Sequence, residues 1–376
     1  MKFAVLKNNL KTGLDTVGRV IGGDAVSNLP ILRNILIETD DNRVRLISTN
    51  LEMASVSFIP AKVSERGGIT VPFSILNAIV GTLQSDRIEI EEEDGNMVIS
   101  TENYNAKIQG IKKDEFPIIP KLENARISLE VSSAILQDAL LSVSVACEVS
   151  DAKPELSGVL FNLQNKILKF AATDTFRLTE KTIYDTQFSS KESERAREII
   201  PLKTINEAAR IFRGEKDEKV KIEMNDNQVL FDGGDAQLIS RLISGEFPDY
   251  QSLGIVPSSF TTEAVAKKED LISALKLGGL FSDKFNEVKI RIKSGEKNIE
   301  VYSASQGLGE NKYLIPAKIK GEAAEIVFNW RFFLDGIKNL SSEDVFLGLH
   351  GVSKPALIKS PSDISYFYIL MPIPGE

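Results

Sequence analysis

The sequence predicts an α+β protein built from three copies of one domain, each with two helices packed on antiparallel sheet. Three observations predict this fold class. The chain has 376 residues, more than one ordinary domain of ~100–200 residues. A strand–helix junction recurs at nearly equal steps, and runs of alternating apolar and polar residues separate the helical stretches. Helices gathered on one face of antiparallel sheet are the α+β arrangement.

The repeated junction is a short strand that ends in Pro or Asn and leads into an amphipathic helix. Its junction residues are Pro72, Pro201 and Asn329, which are 129 residues apart (72 to 201) and 128 residues apart (201 to 329). A second landmark, Glu-Phe-Pro, occurs at 115–117 and 246–248 but not in the third copy. Self-similarity at a fixed period indicates internal repeats. We expect three domains at residues 1–122, 123–257 and 258–376.

Each copy is predicted to contain two helices and several short strands. Segments such as Arg87–Glu91 alternate apolar and polar residues, as half-buried antiparallel strands do. Turn signals such as the Asp-Gly pair at 94–95 separate the strands. The helical periodicity predicts six helices, over residues 7–21, 73–83, 131–147, 203–213, 267–281 and 330–340.

The composition argues against an enzyme. The chain has one cysteine, Cys147, and one histidine, His350, although histidine is the commonest general base near neutral pH. Cys147 is predicted to pack within an apolar helix, and His350 to be a solvated turn residue after a strand. Phosphate-binding, dinucleotide-binding and zinc-protease motifs are missing from the sequence. We therefore predict a non-catalytic protein without cofactor or metal.

Localisation follows from the apolar stretches. None approaches the ~18–20 residues that a membrane span needs, and the N-terminal segment is predicted to be a strand, not a signal sequence. We expect a cytoplasmic protein.

The net charge of −8 is unevenly distributed. The six predicted helices sum to +5, so the remaining chain carries −13. An acidic surface repels DNA, whereas basic helices on one side would attract its phosphates. For any single helix, the alternative interpretation is that its charged residues form an ordinary solvated face. The helix at 131–147 is itself acidic.

Several ordered segments carry a family resemblance over essentially the whole chain. They include Met1-Lys-Phe, Asn28-Leu-Pro-Ile-Leu-Arg-Asn-Ile-Leu, Ala172-Thr-Asp-Thr-Phe-Arg-Leu, Gly245-Glu-Phe-Pro-Asp-Tyr and Ile369-Leu-Met-Pro-Ile. In this order and spacing they resemble the bacterial DNA polymerase III beta subunit, the sliding clamp. The resemblance implies three DNA-clamp domains per subunit and a head-to-tail homodimer that closes into a ring around double-stranded DNA, with helices lining the hole.

The implied function is DNA replication. The chain would be a processivity factor, a non-catalytic accessory subunit of the DNA-directed DNA polymerase holoenzyme that encircles duplex DNA without sequence specificity. It would recruit the replicative polymerase, the clamp loader and repair partners. The residues that the resemblance places facing DNA are Lys11, Arg19, Lys153, Lys203, Arg210, Arg213, Lys276, Arg331 and Lys338. The loop at Gly22, Gly23 and Asp24 departs from the family, which often has Arg after the glycines.

Partners of the family insert a short motif with apolar anchors into a pocket between domains two and three. Carried over by position, the pocket comprises Leu156, Thr173, Thr175, Phe176, Arg177, Leu178, Pro248, Leu253, Phe285, Asn329, Phe332, Pro355, Ile369, Leu370, Met371, Pro372 and Ile373. Its apolar members could equally be ordinary core. Thr175 and Phe176 replace the small residue and histidine usual in the family, and the tail continues past Ile373 with Pro-Gly-Glu.

Dimer contacts are implied between the helix after Pro72 and the end of the first helix of domain three. They would bring together Ile75, Ile79, Leu83, Leu280 and Phe281, which could also be core residues. Two rival functions remain open: a three-domain scaffold that uses the pocket without encircling DNA, and an enzyme.

Overall fold

The computed structural model describes residues 1–22, 29–119, 121–150, 152–190, 195–214 and 218–374. These ranges contain six helices: α1 Lys7–Val17, α2 Phe73–Thr82, α3 Ser133–Ser144, α4 Leu202–Ile211, α5 Lys268–Leu280 and α6 Trp330–Lys338. Each helix overlaps a predicted stretch, and all six are shorter than predicted. The predicted start of α3 at 131 is wrong because Val131 and Ser132 are still paired in a strand with Val220 and Lys219. The predicted end of α1 at 21 is also wrong, since the regular helix stops before Gly18.

The chain divides into two compact units. The first contains residues 1–138, 186–195 and 203–242, and the second contains residues 139–185, 196–202 and 243–376.

The first unit contains two antiparallel sheets, with strand orders β5-β1-β7-β8-β9 and β10-β6-β2-β3-β4-β19-β18-β17-β11-β15. Their strands are β1 Lys2–Leu6, β2 Asn34–Thr39, β3 Arg43–Thr49, β4 Met53–Pro60, β5 Lys62–Glu65, β6 Gly68–Pro72, β7 Arg87–Glu93, β8 Asn96–Thr101, β9 Tyr104–Gln109, β10 Ile111–Lys112, β11 Ile127–Ser132, β15 Phe188–Ser190, β17 Lys219–Met224, β18 Gln228–Asp232 and β19 Ala236–Arg241.

The second unit contains one sheet of twelve strands, in the order β16-β12-β13-β14-β27-β26-β25-β20-β23-β22-β21-β24. Its strands are β12 Gly158–Gln164, β13 Ile167–Thr173, β14 Arg177–Tyr184, β16 Ala196–Pro201, β20 Thr262–Lys267, β21 Glu287–Ile292, β22 Asn298–Ser305, β23 Gly309–Gly321, β24 Ala324–Asn329, β25 Asp344–Leu349, β26 Ala356–Lys359 and β27 Tyr366–Leu370.

Strand pairing repeats three times along the chain. The orders β1-β7-β8-β9, β11-β17-β18-β19 and β20-β25-β26-β27 are equivalent, as are β6-β2-β3-β4, β16-β12-β13-β14 and β24-β21-β22-β23. The junction residues Pro72, Pro201 and Asn329 end β6, β16 and β24, immediately before α2, α4 and α6. The predicted threefold α+β repeat is therefore confirmed.

Neighbouring repeats are joined edge to edge by antiparallel strands. In the first unit β4 pairs with β19, with Met53 opposite Ser240. In the second unit β14 pairs with β27, with Arg177 opposite Leu370. The ten-stranded and twelve-stranded sheets therefore each continue from one repeat into the next.

The helices cover the sheets with their apolar faces. Leu10, Leu14 and Val17 of α1 are buried in a core that also contains Leu76 and Val80 of α2. A Cβ atom at Gly13 would lie 2.8 Å from side-chain atoms of both Ile59 and Leu46, so α1 can lie this close to β3 and β4 only with glycine there. In the second unit, buried residues of α5 and α6 pack into a similar core.

Cys147 and His350 both lie in connecting segments, after α3 and after β25. Cys147 is buried, but it follows α3 instead of lying within a helix as predicted, and its Sγ donates to Gly158 O at 3.5 Å. His350 follows β25 and precedes Gly351, whose φ is 76°; it is half-buried, not fully solvated as predicted. Within the described ranges, no three His, Cys, Asp or Glu residues group as metal ligands would. Within the same ranges, no helix is long and apolar enough to span a membrane.

Candidate functional site

A tight turn between β13 and β14 forms one side of the candidate site. Thr173 Oγ1 accepts from Thr175 N at 3.1 Å and donates to Arg177 O at 2.7 Å. Asp174 Oδ1 accepts from the backbone N–H groups of Phe176 and Arg177, both at 3.0 Å. Short polar side chains that bond to the backbone two or three residues ahead stabilise such turns. The turn places Thr175 at φ 76° and directs Arg177 into β14.

Arg177 is held on three sides. Its Nε donates to Asp174 Oδ2 at 2.9 Å, and its Nη1 donates to Asp335 Oδ2 at 2.7 Å. Its Cζ lies 4.1 Å from the centre of the Phe332 ring. The planar guanidinium can bond to two carboxylates and stack on an aromatic ring at the same time, which an ammonium group cannot do. Arg177 is therefore a fixed cationic group at the edge of an otherwise apolar surface.

A groove of about 440 Å³ lies beside this turn, within the second unit. Its volume is in the range of sites that bind small molecules or anchor side chains of peptides. Apolar side chains and one guanidinium dominate its lining, which comprises Thr173, Thr175, Arg177, Leu178, Pro248, Tyr250, Leu253, Gly254, Ile255, Pro355, Ile369 and Met371.

A buried carboxylate supports the wall of the groove. Glu180 is 4% exposed and accepts from Tyr250 Oη at 2.5 Å and from Gln251 Nε2 at 3.4 Å. Lys169 Nζ lies 2.9 Å from the other Glu180 oxygen. Burial, followed by the charge of Glu180, raises the pKa of the Tyr250 phenol above its usual value, so this hydroxyl remains a hydrogen-bond donor. The segment after Pro248 is thus anchored to β14 through the hydrogen bonds of Tyr250 and Gln251 to Glu180.

The structure brings together nine of the seventeen residues predicted for the pocket. These are Thr173, Thr175, Arg177, Leu178, Pro248, Leu253, Pro355, Ile369 and Met371. Sequence reasoning missed Tyr250, Gly254 and Ile255, although they follow the Glu-Phe-Pro landmark within nine residues.

Eight predicted residues do not line the groove. Leu156 and Leu370 are buried, 3% and 0% exposed, and are not among the residues that line the groove. Phe176 and Phe285 are exposed on the surface, and Phe332 lies under Arg177. The remaining three are structural: Asn329 caps α6 by accepting from Arg331 N and Phe332 N, and Pro372 and Ile373 are half-buried, with Ile373 N donating to Val327 O. The final Gly375 and Glu376 of the extended tail lie outside the described residues.

All nine basic residues predicted to face DNA are exposed: Lys11, Arg19, Lys153, Lys203, Arg210, Arg213, Lys276, Arg331 and Lys338. Arg19 and Arg213 lie just past the ends of α1 and α4, and Lys153 precedes a single 3₁₀ turn. Arg210 pairs with Glu207 at 3.1 Å. Lys203 Nζ lies 3.5 Å from Gly22 O, which places the start of α4 near the end of the α1 segment. Gly23 and Asp24 lie outside the described residues.

The predicted dimer residues divide by exposure. Ile75 and Leu280 are 48% and 66% exposed, large values for apolar side chains. Ile79 and Phe281 are half-buried. Leu83 is only 8% exposed and belongs to the core of its own repeat. Leu83 thus packs mainly within its own chain, and its place in an intermolecular contact stays a prediction.

The threefold strand pattern and the groove beside β14 define a protein of the DNA-clamp class. Family models described as the N-terminal, central and C-terminal domains of the DNA polymerase III beta subunit match residues 1–120, 130–249 and 254–374. The chain belongs to the DNA polymerase III beta subunit family, whose members are DNA sliding clamps.

Individual relatives agree over the full length. A beta sliding clamp of Synechococcus elongatus is 27% identical over 379 residues, covering 99% of both chains. The DNA polymerase sliding clamp of Bacillus subtilis has a crystal structure that matches with a TM-score of 0.93 at 25% identity, covering 100% of both chains. A sliding clamp of Bartonella birtlesii bound to griselimycin matches with a TM-score of 0.90 at 25% identity, again over 100% of both chains.

Proposed function

We propose that the chain closes head to tail with a second copy into a ring around double-stranded DNA, and that its groove recruits the replicative polymerase, clamp loader and repair proteins. The observation that carries this proposal is the strand register between neighbouring repeats. The proposal assigns the chain no catalytic step, and it leaves partner identity open.

Among the described residues, two strands lack the edge partner that their equivalents have in the other repeats. Within the described ranges, β9 pairs on one side only, with β8. The N-terminal half of β23, residues 309–316, pairs only with β22. Unpaired edges present a row of N–H and C=O groups that a further strand can complete. In the repeat pattern β9 is equivalent to β19 and β27, and this half of β23 is equivalent to β4 and β14.

The two observed junctions predict the register of a third. Ala54 lies opposite Ile239, and Leu178 lies opposite Ile369. The equivalent positions in the free edges are Glu310 of β23 and Lys107 of β9. Repeating the same pairing would place Lys107 opposite Glu310 of a second copy, which joins opposite charges across the strands. Since each subunit has one edge of each kind, two copies form two identical contacts and close the ring.

Apolar side chains near these edges support the contact. Leu314 on β23 is 49% exposed and Tyr104 on β9 is 37% exposed. Ile75 of α2 and Leu280 of α5 add two more exposed apolar side chains. Exposed apolar residues on the two edge strands favour association, because burying them releases water.

Binding by enclosure fits the charge distribution. The overall charge of −8 opposes tight binding to a DNA surface, whereas the nine exposed basic residues would face the enclosed duplex. Contacts to phosphates carry no sequence information, so a clamp of this kind would hold DNA without selecting a sequence.

The groove supports peptide recruitment. It offers apolar walls for anchor side chains and one fixed guanidinium for a polar or acidic group. Griselimycin is bound in a structure of the Bartonella birtlesii clamp, and we propose that the groove of this chain accepts the same ligand. Titration calorimetry with griselimycin tests this point, and the variant Arg177→Ala should weaken binding strongly.

Cysteine cross-linking tests the ring contact. In Lys107→Cys with Glu310→Cys, the proposed register puts two thiols directly opposite across the contact, within the Cα separation that a disulfide spans. Oxidation should yield a covalent dimer. The matched control Lys107→Cys with Lys312→Cys shifts one thiol by two residues and should cross-link poorly. Equal cross-linking in both, or none in either, would contradict the register.

A further inference from the structure

The turn at the groove has a counterpart in the first repeat. Thr49 Oγ1 donates to Met53 O at 2.9 Å and accepts from Leu51 N at 3.0 Å. Asn50 Oδ1 accepts from Glu52 N at 3.1 Å and from Met53 N at 2.8 Å. These are the bonds made by Thr173 and Asp174 at the groove. The central residues also agree, with φ 74° at Leu51 and 76° at Thr175.

This agreement shows what holds Thr175 in place. The same backbone path occurs beside a small cleft of about 30 Å³ in the first unit and beside the groove of about 440 Å³ in the second. The turn conformation therefore comes from its own hydrogen bonds and not from the shape of the groove. Because the backbone is fixed, the Cβ of Thr175 has a fixed direction, and a β-branched side chain has few alternative rotamers.

The position also does not require threonine for folding. A φ near +76° lies in the left-handed region, where glycine is unstrained and a β-branched residue is disfavoured. The side chain of Thr175 is exposed and lines the groove. Thr175 therefore presents one methyl and one hydroxyl group to the groove at a rigid position.

We infer that Thr175 is a specificity-determining residue that limits the size of the apolar anchor side chain the groove accepts. This inference rests on the proposed binding of peptides. A rigid wall discriminates by steric exclusion, and a difference of one or a few methylene-sized groups in an apolar pocket changes affinity by roughly 10- to 200-fold.

The test compares two glycine variants. Thr175→Gly removes the side chain at the groove, and Leu51→Gly makes the equivalent change in the counterpart turn. Both should fold, with melting temperatures within about 3 °C of the unmodified protein, since relief of left-handed strain is offset by the chain entropy that glycine loses. The probes are three fluorescein-labelled hexapeptides that share two leucines and differ at one anchor: Ala, Leu or Phe.

Fluorescence anisotropy gives the dissociation constant of each probe. We expect Thr175→Gly to shift the ratio of the Phe-probe and Ala-probe constants about 10-fold in favour of Phe, and Leu51→Gly to leave the ratio unchanged. An unchanged ratio in Thr175→Gly, or an equal shift in both variants, would overturn the inference. If the unmodified protein bound neither the probes nor griselimycin, the proposed peptide site itself would fail, a result distinct from an unchanged ratio.

Discussion

Arg177 Nη1 lies 2.7 Å from Asp335 Oδ2, so a residue that lines the groove is tied to helix α6. The same helix carries the exposed Arg331 and Lys338. The link fixes the guanidinium in one orientation, because Asp174 holds its Nε and the Phe332 ring lies beneath it.

Removing one charge of this link should weaken ligand binding modestly. In Asp335→Asn, Arg177 keeps Asp174 and Phe332 but loses its second ionic partner. Since Asp335 is 35% exposed and partly screened, we expect griselimycin affinity to fall by about fivefold, equivalent to ~1 kcal/mol. Calorimetry measures it, with Asp15→Asn, an exposed carboxylate on α1, as the control. Unchanged affinity in Asp335→Asn would mean that the link does not orient Arg177.

Charge reversal at the proposed ring contact should weaken the dimer. Either Lys107→Glu or Glu310→Lys alone would oppose like charges, and each ring contains the contact twice. At roughly 0.2–1 kcal/mol per pair, the dimer dissociation constant should rise by about 2- to 30-fold. The combined variant restores opposite charges and should recover most of the affinity in sedimentation equilibrium. Failure of the combined variant to recover would argue against this register.

Loss of basic residues should reduce the salt dependence of DNA binding. Lys203→Ala with Arg213→Ala removes two exposed cations near α4. If both contact phosphate, the slope of log K against log salt should become shallower by about 0.9 for each lost contact. Lys320→Ala, on β23, should leave the slope unchanged. If Lys320→Ala changed the salt slope as much as the double variant does, the result would indicate general charge attraction instead of a defined DNA-facing surface.

The buried Tyr250–Glu180 hydrogen bond should contribute more to stability than an exposed bond of the same type. Tyr250→Phe leaves a carboxylate oxygen of Glu180 without its phenol donor, and a buried polar group that loses its partner costs about 1–3 kcal/mol. Tyr302→Phe removes an exposed bond to Glu310 of 2.9 Å and should cost less than about 0.5 kcal/mol. Chemical denaturation compares them, and equal costs would contradict the assigned role of burial.

The thiol of Cys147 should be unreactive in the folded protein. Burial raises the pKa of this thiol to about 12, so very little of it is ionised at pH 8, and the thiolate is the reactive form. A chromogenic disulfide reagent should label native protein far more slowly than protein unfolded in guanidinium chloride. Rapid labelling of the native form would show that the segment after α3 opens readily.

The sequence predicted the repeat and the fold class because both depend on periodic patterns. Pro72, Pro201 and Asn329 mark equivalent strand–helix junctions, and the alternating strands are sufficient to indicate antiparallel sheet. Nine of the twelve residues that line the groove were predicted, because the family resemblance implies them by position. Leu156 and Leu370 were also predicted for the groove but are not among its lining residues, since an apolar residue that lines a groove and one packed behind it look alike in sequence. Tyr250 was missed because its contact with Glu180 spans 70 residues.

Retention on DNA of different topology tests the central proposal most directly. The protein is loaded on nicked circular DNA with ATP and a clamp loader known to load its own clamp, and the complex is isolated by gel filtration in moderate salt. We expect the protein to remain on the circle and to be lost after the DNA is cut to a linear form. Equal retention on circular and linear DNA, or no retention with an active loader, would contradict a ring that encloses DNA.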